Sequence, residues 1–232
     1  MNKFLSIVAV LFLLTSCSNS ENEMSLSGNV RGLKKGILYL QKIEDSTLVT
    51  VDSIVVNGSS SFNFSEPILE PELYYLHVRI ENGILQDDRI AFFAEANPIT
   101  INTTLDNFEV DAKITGSKNQ EKWELYNKII DRYSNLNLEL IEDGFSARKE
   151  GNDSLAFSIN KSQKSIMAKK YLATISFALS NNDFEISPYL MVNRVSNSRL
   201  IYLDSVYNNL TPKIKDSKYG KDLEILIKSR KK

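Results

Sequence analysis

The stretch Gly116-Ser117-Lys118-Asn119-Gln120 marks the point at which the chain changes its hydrophobic period. Ser117 followed three positions later by Gln120 has the pattern of a capping box, in which a hydroxyl accepts a backbone N–H of the first helical turn and a side chain reaches back. Downstream, Trp123, Tyr126, Ile130, Tyr133 and Leu140 recur at helical spacing, which predicts an amphipathic helix to about Ile141 or a little beyond. Gly151-Asn152-Asp153-Ser154 breaks that helix and caps a second, from Leu155 to about Leu179, with Ile159, Ile166, Tyr171 and Ile175 as its seam. Neither helix can hide its apolar stripe alone, so an antiparallel hairpin is expected, packed on itself or on a sheet. Ser187-Pro188 and Thr211-Pro212 each offer a hydroxyl for an N-cap and a proline for the first helical position. Helices are predicted from about Pro188 to Arg194, Ser198 to Asn209 and Lys218 to Ser229.

Upstream, from Ser25 to about Ile114, the chain alternates with period two between turn residues, which is the pattern of short strands. Leu26, Gly28 and Val30 open the series, and Ile37 to Ile43, Leu48 to Val56 and Phe62 to Phe64 follow, with Asn57-Gly58 as a turn. In Glu72 to Glu81, Tyr74, Leu76, Val78 and Ile80 share one face while Tyr75, His77 and Arg79 share the other. Asn82-Gly83 and Asp87-Asp88 are breaks, and Arg89 to Glu95, Pro98 to Thr104 and Phe108 to Ile114 supply three more strands. The expected fold class is α+β, with an antiparallel β-sandwich over residues 25–116 and an all-helical domain with a long hairpin over residues 117–232.

The chain opens with Lys3 and an apolar run from Phe4 to Leu14, the make-up of a secretory signal. At about 1.5 Å per residue that run reaches only about half of a ~30 Å hydrocarbon core. Leu14-Thr15-Ser16-Cys17 resembles the bacterial lipobox. The resemblance implies a lipoprotein signal peptide over residues 1–16, acylation of Cys17 and a membrane-anchored mature chain. Residues 17–24, polar and without periodicity, read as a flexible tether. Ser18 stands where lipoproteins retained at the inner membrane carry Asp, so by analogy the expected location is the outer membrane of the cell envelope, facing either the periplasm or the surface.

Composition narrows the chemistry. With 28 basic and 29 acidic residues, the chain has no charge bias toward nucleic acid. Cys17 is its one cysteine and His77 its one histidine, which leaves no residue set for a disulfide, a CxxC redox pair or a zinc site. No GxSxG, P-loop or GxGxxG pattern occurs, and no cofactor is expected.

Several positions of the β-half carry a family likeness: Gly28, Gly36 with Ile37-Leu38-Tyr39-Leu40, Asp52-Ser53, Phe62 and Phe64, Pro71 with Tyr74, Phe92-Phe93, Ile99-Thr100-Ile101, and Gly116-Ser117 with Asn119. Together they resemble a domain of unknown function common in lipoproteins of Bacteroidota, where it precedes a thioredoxin-like domain of the thiol-disulfide oxidoreductase kind. The helical half, including Ser187-Pro188-Tyr189 and Lys215 to Gly220, resembles the linker region of the same proteins. In that architecture a WCxxC-bearing domain would follow, whereas this sequence closes at Lys228-Ser229-Arg230-Lys231-Lys232. The expectation is therefore a non-catalytic binding or adaptor module. The alternative the resemblance implies is the accessory half of a redox system that works with a separately encoded thioredoxin-like protein.

The candidate site residues are few. Cys17 is the expected lipidation site. Tyr75, His77 and Arg79, on the wetter face of their strand, are a candidate binding surface. The adjacent pairs Tyr74-Tyr75 and Phe92-Phe93 must each place one ring on either face of a sheet, and the outward ring of each is a further candidate. Asp52 and Ser53 point to opposite faces and cannot form a nucleophile–base pair, so they read as structural. The Lys228 to Lys232 cluster reads as the favourable basic end of a helix.

Overall fold

The computed structural model describes residues 22–80 and 88–231. The lipobox, Cys17 and the Asn82-Gly83 turn lie outside the described residues. Among the described residues eight strands are followed by six helices: β1 (Glu23–Arg31), β2 (Lys35–Glu44), β3 (Thr47–Asn57), β4 (Ser61–Pro67), β5 (Glu72–Ile80), β6 (Arg89–Ala94), β7 (Pro98–Thr104), β8 (Lys113–Thr115), α1 (Lys118–Lys149), α2 (Asp153–Ser180), α3 (Ile186–Asn193), α4 (Leu200–Asn209), α5 (Pro212–Asp216) and α6 (Lys218–Arg230). The fold class is α+β.

The strands form two four-stranded sheets, ordered β4-β1-β7-β8 and β3-β2-β5-β6. All pairs are antiparallel except β1 with β7, which run parallel with Leu26 beside Ile99. The pleat sends alternate residues inward, so Met24, Leu26, Phe64 and Ile99 of the first sheet meet Leu38, Leu40, Leu76 and Phe92 of the second in one core. The β2–β3 hairpin turns at Asp45-Ser46, both at positive φ (45° and 67°), the backbone that matches the twist of a tight hairpin.

Two expected boundaries in this half move. β1 begins at Glu23, so Glu23 and Met24, assigned to the tether, are strand residues, and Met24 is fully buried. The predicted strand over Phe108 to Ile114 is a strand only at Lys113–Thr115. Before it the chain coils, with Asp111 N–H donating to Asn107 O at 2.9 Å and Thr103 Oγ1 donating to Phe108 O at 2.7 Å. Within that coil the Phe108 ring is fully buried in the sandwich core.

In the helical half α1 runs to Lys149, beyond the expected end, and α2 returns alongside it as the hairpin. Ser187 is not an N-cap. Glu185 occupies that position, and Ser187 Oγ donates to Ala178 O at 2.8 Å, tying α3 to α2. Thr211 does precede Pro212 at the start of α5, but its side chain makes no capping bond. The basic end of α6 is tied to its neighbours: Arg230 Nη1 donates to Ser196 O and Ser198 O at 2.7 and 2.6 Å, and Lys231 pairs with Asp204 at 2.9 Å.

The helices cover one half of the outward face of β3-β2-β5-β6. Phe93, the outward ring of its pair, is fully buried there against Trp123, Tyr189 and Tyr219, with ring centroids 5.5, 5.4 and 6.4 Å away in edge-to-face geometry. Val55, outward at the far edge of the same sheet, is 74% exposed. Phe93→Ala is therefore expected to cost about 3–5 kcal/mol in urea unfolding, while Val55→Ala stays within about 0.5 kcal/mol. Equal costs for the two would contradict this division of the face.

Candidate functional site: a cleft between the second sheet and the helices

The covering helices are held to the sheet at their N-termini. At the start of α1, Gly116 sits at φ +102°, and a Cβ there would come within 2.1 Å of Pro98 O, so the tight entry requires glycine. Ser117 Oγ accepts from Gln120 N at 3.1 Å, one half of the expected capping box. The other half is replaced: Gln120 Oε1 accepts from Phe93 N at 3.2 Å and Nε2 donates to Glu124 at 3.2 Å. The role of the reaching-back side chain falls to Glu95, only 5% exposed at the end of β6. Its carboxylate accepts from Ser117 Oγ (3.0 Å), Lys118 N (3.2 Å), Asn119 N (2.7 Å) and Asn119 Nδ2 (3.0 Å). A negative group at the first turn meets both the free N–H groups and the positive end of the helix dipole.

Asn119 extends this cluster to α3. Its Oδ1 accepts from Ile186 N at 2.9 Å, and its Nδ2 also donates to Glu185 Oε2 at 2.8 Å. α6 is attached in the same manner at the start of β5: Lys218 N donates to Glu70 Oε2 at 2.9 Å, Lys218 Nζ pairs with Glu72, and Tyr219 OH accepts from Leu73 N at 3.0 Å.

Between these two attachments the sheet and helices leave a cleft of about 660 Å³, a size that suits a small ligand. Tyr75 and Ala91 of the sheet, Trp123, Glu124 and Asn127 of α1, Tyr189 of α3 and Arg194 at its end line it, with Glu109 and Lys113 also at its surface. A second hollow of about 390 Å³ shares Leu73, Tyr75 and Tyr189 with it and opens toward Lys218 and Asp222. Burial pushes the Tyr75 and Tyr189 phenols up, with Arg194 opposing in both cases, so both hydroxyls stay protonated as donors.

One buried donor beside the cleft lacks a partner. Trp123 is 8% exposed, and its indole N–H is buried without an acceptor. Leaving such a donor unpaired costs about 1–3 kcal/mol. Arg194 is exposed at the cleft, and among the described residues its guanidinium makes no ion pair.

Of the residues singled out in the sequence, Tyr75 lines the cleft and His77 and Arg79 do not. The His77 ring stacks on Tyr39 at 5.9 Å with Nδ1 3.2 Å from Asp88 O, and the Arg79 guanidinium lies 5.5 Å from the Tyr39 ring. These three pack together on the open half of the face. Trp123 was legible as a seam residue, Arg194 carried no signal, and Gln120 was legible only as a cap. Among the described residues no group of three or more His, Cys, Asp or Glu is placed to hold a metal ion, and no helix is long and apolar enough to cross a membrane.

A two-sheet sandwich extended by helices that dock on its outer face through their N-termini defines the class of this protein. Residues 24–123 match the family model described as Domain of unknown function (DUF4369), a segment that runs through the sandwich and the Glu95 cluster to Trp123. No curated protein and no solved structure matches the chain.

Glu185 gives the cluster a pH dependence. Burial pushes its carboxyl above the ordinary value; the Asn119 hydrogen bond opposes this, and the charge of Glu95 adds to it. A carboxyl with a raised folded pKa contributes stability that is fully present below its unfolded pKa and is lost as pH rises through the folded one. Glu185→Gln removes that loss while keeping an acceptor for Asn119. The stability gained by the variant over the wild type is therefore expected to grow as pH rises above about 4, the unfolded carboxyl range, in urea titrations. A gain that grows as pH falls would refute the assignment.

Proposed function

We infer that this chain is a lipid-anchored binding module of the cell envelope, without catalytic activity of its own, that takes its ligand in the cleft beside Trp123. The observation that carries the reading is the cleft itself, in which Tyr75, Trp123 and Tyr189 stand beside the exposed Arg194 guanidinium. A ligand that presents an anionic group to Arg194 makes a charge-assisted pair there. The aromatic lining favours an apolar or planar body beside that anionic group. Trp123 is the only tryptophan, so its emission reports the cleft directly. Titration with small aryl and alkyl carboxylates is expected to shift that emission in a salt-sensitive way, and Arg194→Ala to weaken binding roughly tenfold or more without changing the unfolding midpoint. Binding indifferent to Arg194→Ala, or no binding across the panel, would contradict the reading.

Location rests on the lipobox likeness of Leu14-Thr15-Ser16-Cys17, which supports an outer-membrane lipoprotein held through Cys17. Mass spectrometry of the membrane fraction is expected to show an acylated N-terminal Cys17, and Cys17→Ala to release the protein. An unacylated chain starting at Met1 would sink this assignment.

The resemblance of the β-half to a domain that precedes thioredoxin-like domains supports one second reading, the accessory half of a thiol-disulfide system. Exchange needs an attacking thiolate and a resolving thiol, and Cys17 is the one cysteine of the sequence, so a thioredoxin-like partner would supply the sulfurs. In an insulin-reduction assay the protein alone would be inactive, and it would raise the rate of such a partner only under this second reading.

A further inference from the structure

The hairpin of α1 and α2 outreaches the body that supports its base. On α1 the residues buried against the body end at Ile130, and on α2 they begin at Thr174. Between those points the buried residues of the two helices are Gly144, Ala147 and Ile159. Gly144 lies against Ile159, where a Cβ would come within 3.5 Å of Cγ2, and this fixes the register of the arm.

Each helix carries a second heptad seam that the hairpin does not use. On α1, Leu138, Ile141 and Phe145 recur at steps of three and four beside the inner seam. On α2, Phe157, Lys164 and Met167 fall on a matching repeat, and the sense of the two antiparallel helices turns both seams to the same side of the arm. Their apolar members are exposed, Phe145 by 67% and Phe157 by 76%. On the opposite side of the arm Glu139, Asp143, Ser162, Ser165 and Lys169 line a shallow hollow together with Leu136, Leu140 and Ile166.

Charge selects what covers the apolar side. Glu142 borders the α1 seam, and Lys161 borders the α2 seam; among the described residues neither makes an ion pair. From the Gly144–Ile159 contact, Glu142 is two residues back along α1 and Lys161 two residues on along α2, so the two stand level on opposite edges. A two-fold axis parallel to the arm lays α1 of one copy over α2 of another. It brings Glu142 to the level of the second copy's Lys161 and Phe145 to within one residue of the level of its Phe157, and symmetry repeats both pairings. We propose that the arm is a self-association surface, and that a second copy of this chain completes it as an antiparallel four-helix bundle. The axis leaves both bodies at the same end, compatible with two chains tethered to one surface.

Sedimentation equilibrium of the full chain in mild detergent tests this. The expected result is a particle of twice the chain mass, converted by Phe145→Ser with Phe157→Ser to a monomer that keeps the wild-type helical circular dichroism and whose thermal midpoint no longer depends on concentration. Lys161→Glu alone is expected to weaken the dimer roughly tenfold, and adding Glu142→Lys to restore it, since the reversed pair is complementary again. A monomer up to about 100 µM, a concentration that exceeds weak specific association, would overturn the proposal. So would a dimer indifferent to both phenylalanine changes, or a charge reversal that fails to rescue. A monomer that needs Phe145 and Phe157 to bind phosphatidylcholine vesicles would assign the face to lipid instead.

Discussion

The contact on which the rest of the structure depends is the Glu95 carboxylate at the first turn of α1. It closes β6, it is buried, and it receives N–H or O–H groups from Ser117, Lys118 and Asn119. Burying a carboxylate is tolerated only where such donors replace its water. Because Asn119 passes the connection on to Ile186 N and Glu185, one polar cluster sets the starting points of both α1 and α3 over the sheet. Glu70 and Glu72 do the same for α6 from the first residues of β5 and the loop before it. Sheet carboxylates bind helix N-termini at both ends of the covered half-face, and the aromatic cluster around Phe93 fills the space between.

This arrangement changes the meaning of the outward-facing aromatics. A ring on the outer face of a sandwich is a candidate docking surface until something covers it, and here the chain's own helices cover Phe93. What they leave uncovered is the seam beside Tyr75, where the helices approach the sheet without closing on it. The cleft is thus a consequence of docking by helix ends: N-terminal contacts fix position at points, whereas side-to-side packing would have filled the groove.

Much of the architecture was legible because two hydrophobic periods were clean. Tyr74, Leu76 and Val78 alternate strictly and face inward, and Trp123, Tyr126 and Ile130 hold a helical seam that is buried as the spacing requires. Local signals misled where a tertiary partner outbid a local one. Ser187 satisfies the carbonyl of Ala178 instead of capping α3, and Gln120 satisfies the exposed edge of β6 at Phe93 instead of turning back on Ser117. The coil at Phe108 shows the same competition, since a side-chain bond from Thr103 and a core position for the ring override an alternating sequence. The cleft was half legible. Tyr75 could be read from strand alternation, but Arg194 comes from a helix end far along the chain, and no spacing rule connects it to the sheet.

The most direct measurement of this docking is a double-mutant cycle between Glu95→Ala and Asn119→Ala, read by urea unfolding with Trp123 emission as the probe. If the buried carboxylate and the bridging amide act as one cluster, removing either disables the other, and the coupling should reach at least about 1.5 kcal/mol. Costs that add to within about 0.5 kcal/mol would mean that the two side chains act independently and that no single polar cluster sets the starts of α1 and α3.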